Sequence, residues 1–186
     1  MTDRERLFEI LRTVSYEERD VVLASGRRST FYVDARNTSL HPEGNVLCGR
    51  ELWRVLRAGG PAFAAVAGPS LGADPLVAAI VYTSFLDGAP IPGLLVRKEA
   101  KGYGTGRLLE GTRNVPPGSP IAVVEDVLTT GGSALRTAAA IREAGYVPVR
   151  VVVVVDREEG GREAVLAEGL PVDALYGRRE FQPEAP

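Results

Sequence analysis

Lysine is almost missing from this sequence: of 22 basic residues only Lys98 and Lys101 are lysine, and the other 20 are arginine. Cysteine occurs once, at Cys48, so no disulfide can close within the chain. Histidine also occurs once, at His41, which excludes a mechanism built on two histidines and a histidine-rich zinc site. The valine run Val151 to Val155, like every other apolar run in the chain, falls far short of the roughly 20 residues that span a bilayer. No excess of charge is present either. A formal net charge of -2 gives no broad positive field for nucleic acid, although Arg27-Arg28 and Arg97-Lys98-Lys101 are local clusters suited to anions. Asp3, Glu5 and Glu9, interleaved with arginines, break up any apolar signal region at the start, so a cytoplasmic protein is expected.

What is present suits one domain spanning residues 1–186, since 45% of the chain is hydrophobic and 25% charged. Leu7, Ile10, Leu11 and Val14 follow helical spacing behind a capping Thr2 or Asp3. In "DVVLASGRRSTFYVDAR" two extended segments flank the turn "SGRRS", which predicts a hairpin. His41, in "SLHPEG", reads as a loop residue before a helix that runs through Val46, Leu52, Trp53 and Leu56 to Gly59-Gly60. Cys48 within that helix reads as a small buried residue, not a nucleophile. Apolar runs then alternate with helical patterns to the end of the chain. Runs such as Ile121 to Val124 and Val147 to Val155 suit the middle of a parallel sheet covered on both faces, so the predicted class is α/β, doubly wound. No repeat or low-complexity segment is visible, and the tail "QPEAP" is expected to fray.

Ligands of open parallel sheets bind beyond the carboxyl ends of the strands. After the run from Ile121 come two adjacent carboxylates, Glu125 and Asp126, then Thr129-Thr130-Gly131-Gly132-Ser133 opening a helix. Glycines there let consecutive N–H groups converge, and the helix start adds positive potential, which together make a phosphate cradle. Two carboxylates beside it would repel a bare phosphate, so they are expected to meet hydroxyls or a divalent cation. A ribose phosphate satisfies both halves. The bland alternative is a capped helix after a buried strand, with two solvated acids. No G-x-x-x-x-G-K-[ST] segment occurs, and "GYGTG" at Gly102 to Gly106 is only an echo of a dinucleotide fingerprint.

"VVEDVLTTGGSA" closely resembles the phosphoribosyl pyrophosphate signature of type I phosphoribosyltransferases. "SGRRSTFYVDAR" and "RKEAKGYGTGRLLEG" are similar to the segments that set the orotate phosphoribosyltransferase family apart from its relatives, and with "VVVVDREEGG" the likeness extends from about residue 4 to residue 176. The resemblance implies a central, mainly parallel sheet flanked by helices, with a small N-terminal hood contributed by about the first 40 residues. It implies transfer of a phosphoribosyl group from phosphoribosyl pyrophosphate to orotate, giving orotidine 5'-monophosphate and pyrophosphate, with magnesium held mainly through the phosphoribosyl pyrophosphate.

On that resemblance Arg97, Lys98, Lys101 and Tyr103 hold pyrophosphate, and Glu125 and Asp126 bind the ribose hydroxyls. Val127, Leu128, Thr129, Thr130, Gly131, Gly132 and Ser133 also bind phosphoribosyl pyrophosphate, with Thr129 to Ser133 on the 5'-phosphate, while Thr129 and Arg157 meet orotate. Lys101 and Asp126 are the expected catalytic pair, and no residue is expected to be a dedicated metal ligand. A rotatable lysine charge on a flexible stem suits a departing pyrophosphate. For Arg157 the competing reading is a surface arginine paired with Glu158 or Glu159. Three positions depart from the family's pattern: Ala24 stands where a lysine is frequent, Gly68 to Val77 lacks a Tyr-Lys pair, and Tyr103 replaces a histidine. Lys98 to Pro120 reads as a long loop, expected to close over substrate and to reach the neighbouring site of a homodimer. Other readings remain: a phosphoribosyltransferase for another base, or a nucleic-acid-binding regulator on the same fold.

Overall fold

The computed structural model of the protein describes residues 1–22, 28–98 and 108–183. Helix α1 (Asp3–Ile10) opens on a reciprocal cap. The Thr2 hydroxyl accepts from the Glu5 amide at 3.2 Å, and the Glu5 carboxylate accepts from the Thr2 amide at 2.7 Å. Leu7, Ile10 and Leu11 are buried, whereas Val14 is exposed, against its helical spacing. The cause is local: Leu11–Ser15 winds as a π-helical turn, which rotates the following side chains about the axis.

The predicted hairpin forms from β1 (Tyr16–Val22) and β2 (Arg28–Val33), paired antiparallel. A short α2 (Arg36–Ser39) leads to α3 (Pro42–Arg57). His41 caps α3, its Nδ1 accepting from the Gly44 amide at 3.2 Å, and Pro42 takes the first helical position. Cys48 is buried on α3, and burial pushes its thiol up to about 12, so little reactive thiolate exists near neutrality.

The main sheet is built from β3 (Ala65–Pro69), β4 (Gly93–Val96), β5 (Leu109–Glu110), β6 (Pro120–Leu128), β7 (Val147–Asp156) and β8 (Val172–Gly177). Its order is β5-β4-β3-β6-β7-β8, parallel throughout except for β5. Side chains alternate between its faces, as the strand repeat requires. Val66, Ala122, Val124, Val152 and Val154 meet α1, α3 and α4 (Asp74–Leu86). Ala65, Ala67, Ile121, Val123, Val151 and Val153 meet α5 (Gly132–Glu143) and α6 (Gly161–Ala167). Coverage on both faces explains the unbroken valine run, because every position of β7 from Val151 to Val155 is buried.

A charge interrupts the valine-rich interior of that strand. Arg150 is buried, donates to the carbonyls of Leu56 and Gly59 at the end of α3, and pairs with Asp173. Aromatic packing fastens the hairpin to the far edge of the sheet. Phe31 of β2 lies edge-on to Phe181 of α7 (Arg178–Phe181) at 5.5 Å, and Phe8 stacks on Tyr176 at 5.3 Å.

The segment from Lys98 to Pro120 is less of a loop than its sequence suggests. Leu109 and Val115 are buried anchors, β5 pairs with β4, and a 3-10 turn covers Thr112–Asn114. Residues 99–107, with Lys101 and Tyr103, lie outside the described residues, as do Ala24 and the last three residues of the tail.

Candidate active site

The strand order reverses between β3 and β6. From β3 the chain moves to β4 on one side, and from β6 it moves to β7 on the other. Loops leaving two such neighbours diverge and open a crevice beyond their carboxyl ends. A cavity of about 810 Å³ lies there, walled by Ser70, Leu71 and Gly72 after β3 and by Glu125, Asp126, Val127, Thr129 and Ser133 around the end of β6.

Glu125 is 4% exposed, so it is not one of the solvated acids of the bland alternative. Burial, then the charge of Asp126, raises its pKa well above the usual carboxylate range, and the Ser133 hydroxyl pulls the other way. Its Oε2 is buried with no hydrogen-bond partner. Asp126 is raised too, chiefly by burial, against the hydrogen bond its Oδ1 accepts from the Val127 amide at 2.8 Å. Two neighbouring carboxyls that both resist ionising, one with an unused oxygen, make a site for hydroxyl donors or for positive charge.

The turn after β6 is shaped by backbone. Gly131 adopts φ 81°, and a Cβ there would sit 2.9 Å from the Gly161 carbonyl oxygen, so only glycine fits without strain. Thr129 and Ser133 face the cavity, Leu128 is buried in the core, and Thr130 is exposed. On the opposite wall Gly72 approaches the acid pair closely, since a Cβ there would lie 2.8 Å from Asp126 Oδ2.

Arg97 and Lys98 line the cavity where β4 ends, with Arg97 Nη1 3.3 Å from Glu110. Arg157, just beyond β7, also lines it, but it is buried and not a surface arginine. It donates to the Phe31 carbonyl at 2.8 Å and pairs with the buried Glu159 at 2.9 Å. The Glu159 partner of the competing reading is therefore real, yet the arginine stands at the cavity and ties the end of β7 to the hairpin.

Tyr32, Asp34, Arg36 and Arg136 also line the cavity and were missed by sequence reasoning. Arg36 grips Asp34 through two hydrogen bonds of 2.8 and 2.7 Å, and its charge reaches Asp126. The signal at Ser70 to Gly72 was available, because that segment also follows an apolar strand.

No protein-family model matches the chain. An orotate phosphoribosyltransferase of Sorangium cellulosum is 49% identical over 185 residues, covering 100% of this chain and 96% of the relative. That of Aquifex aeolicus is 42% identical over 184 residues, 97% of this chain and 98% of its own. Among solved structures, the Mycobacterium tuberculosis orotate phosphoribosyltransferase in complex with 5-phospho-alpha-D-ribosyl 1-diphosphate superposes with a TM-score of 0.78 at 38% identity. That match covers 97% of this chain and 99% of the other. Likeness of this extent, carried along the whole chain and through the strands that form the crevice, makes the protein a member of the orotate phosphoribosyltransferase family.

Proposed function

We propose that the protein transfers the phosphoribosyl group of phosphoribosyl pyrophosphate to orotate, releasing pyrophosphate and forming orotidine 5'-monophosphate for pyrimidine synthesis. The observation that carries this is the Glu125-Asp126 pair at the end of β6, running directly into the turn that opens α5. Glu125 Oε2, buried and unpartnered, is the acceptor that a ribose hydroxyl would satisfy. Thr129 and Ser133 stand at a helix start suited to the 5'-phosphate.

In the reaction the bond from the anomeric carbon to pyrophosphate breaks as the bond to the orotate ring nitrogen forms, and positive charge develops on the sugar. Asp126, beside the ribose, would steady that charge. Arg97, Lys98, Lys101 and Tyr103 would take the growing negative charge on pyrophosphate. Arg157 and Thr129 would face orotate, with Glu159 holding the arginine in place for the substrate carboxylate. No group of three metal-binding side chains lies together among the described residues. The pair of acids with its unused oxygen suits a cation that arrives with substrate oxygens around it. Magnesium, when bound, supplies charge that neutralises the pyrophosphate.

A homodimer with shared sites is part of the proposal. At the end of helix α4, Tyr82, Phe85 and Leu86 are each about two-thirds exposed, as expected of a face that a second copy covers. Among the described residues no helix is long and apolar enough to cross a membrane. A single, buried cysteine suits the reducing cytoplasm, where we place the protein.

The test is a panel of bases offered with phosphoribosyl pyrophosphate and magnesium. Orotate is expected to be consumed, seen as loss of its absorbance, while purines are left intact. Turnover of a purine with orotate untouched would overturn the proposal.

A further inference from the structure

Arg136 presents an electrostatic oddity at the start of α5. Side chains on a helix lean toward its N-terminus, so an arginine one turn in can reach back over the first residues. Arg136 does so: its Nη1 lies 3.3 Å from where a side chain on Gly132 would begin. Gly132 is the first residue of α5. A cation is disfavoured there, because the exposed N–H groups already carry positive potential. Arg54, Arg97, Arg150, Arg157 and Arg162 each pair with a carboxylate. Among the described residues Arg136 has no ion-pair partner and no hydrogen bond. Although exposed, it lines the cavity between Ser133 and Thr137.

We infer that Arg136 is a substrate-positioning residue that completes the 5'-phosphate site. Its guanidinium closes over the phosphate from the helix side, while Thr129, Ser133 and the first amides of α5 hold it from the turn. The inference rests on the ribose-phosphate reading of this cavity. A dianionic group explains both why a cation stands at a helix N-terminus and why no carboxylate neutralises it. A fork of N–H donors also matches a phosphate face better than a point charge would. The glycine at 132 is consistent with this, since it leaves the reaching side chain room over the first turn. The role is distinct from that of Arg97 and Lys98, which stand across the cavity at the end of β4 and face the pyrophosphate.

The test compares the wild type with Arg136→Ala and Arg136→Lys by calorimetric titration with ribose 5-phosphate and, separately, with pyrophosphate. Position 136 is exposed on a helix, and alanine and lysine are good helix formers, so both variants should fold. Arg136→Ala is expected to bind ribose 5-phosphate about tenfold more weakly, with Arg136→Lys in between. Pyrophosphate affinity should stay unchanged, and in turnover the KM for phosphoribosyl pyrophosphate should rise while kcat holds. Unchanged binding of ribose 5-phosphate, or equal loss for both ligands, would overturn the inference. The two proposals fail separately. Orotate turnover by the wild type with no effect at 136 removes only the role of Arg136. An effect at 136 in a protein that does not turn over orotate removes only the choice of base.

Discussion

At the scale of single residues, the acid pair shows how environment sets chemistry. A carboxyl whose folded pKa lies above its unfolded value binds its proton more tightly when folded. It therefore costs stability as pH rises from the unfolded value, near 4.5 for Glu125, through the raised one. Glu125→Gln removes that titration in a shape-preserving way. The variant should gain stability relative to the wild type between pH 5 and pH 8, by about 1 kcal/mol or more, in thermal melts at the two pH values. A constant difference across that range would mean that Glu125 ionises freely. The gain comes with a loss, since an amide at this position is a poorer acceptor for ribose hydroxyls than a carboxylate, and the affinity for phosphoribosyl pyrophosphate should fall. Glu125, Asp126, Thr129 and Ser133 were legible in the sequence because one turn of chain brings them together. Tyr32, Asp34, Arg36 and Arg136 were not. Three of them come from a distant hairpin and its exit, and an arginine four residues into a helix looks like any solvated charge until its direction is seen.

At the scale of elements, the connection from β6 to α5 depends on backbone that only glycine adopts. Gly131→Ala would force a left-handed φ on alanine and press its Cβ on the Gly161 carbonyl. The cost should be about 1–3 kcal/mol, read as a fall of several degrees in melting temperature. A variant as stable as the wild type would show that the turn can adopt another path. Apolar strands and the longer helices were readable because their patterns repeat over enough residues. β5 has two residues and α7 four, too few for any period to register. The burial of Leu109 and Val115 likewise depends on partners far along the chain. Val14 was misplaced because periodicity assumes a regular helix, and the π-helical turn breaks that assumption.

At the scale of the whole molecule, strand order makes the site. β3 and β6 are adjacent although 50 residues of chain lie between them, and only the crevice between them unites the acids, the glycine turn that opens α5 and the basic end of β4. The sequence alone reached this arrangement through family resemblance, since an apolar run does not reveal its neighbours in a sheet. The proposal adds that the two catalytic residues serve together across a dimer, with Asp126 from one copy and Lys101 from the other. The rate of orotate consumption, measured on the wild type, Lys101→Ala, Asp126→Ala and an equal mixture of the two variants, tests all of this at once. The wild type should consume orotate, each variant alone should be slower by about a hundredfold or more, and the mixture should recover up to about a quarter of the wild-type rate through hybrid dimers. A wild type that leaves orotate untouched, or a mixture no faster than its parts, would contradict the account.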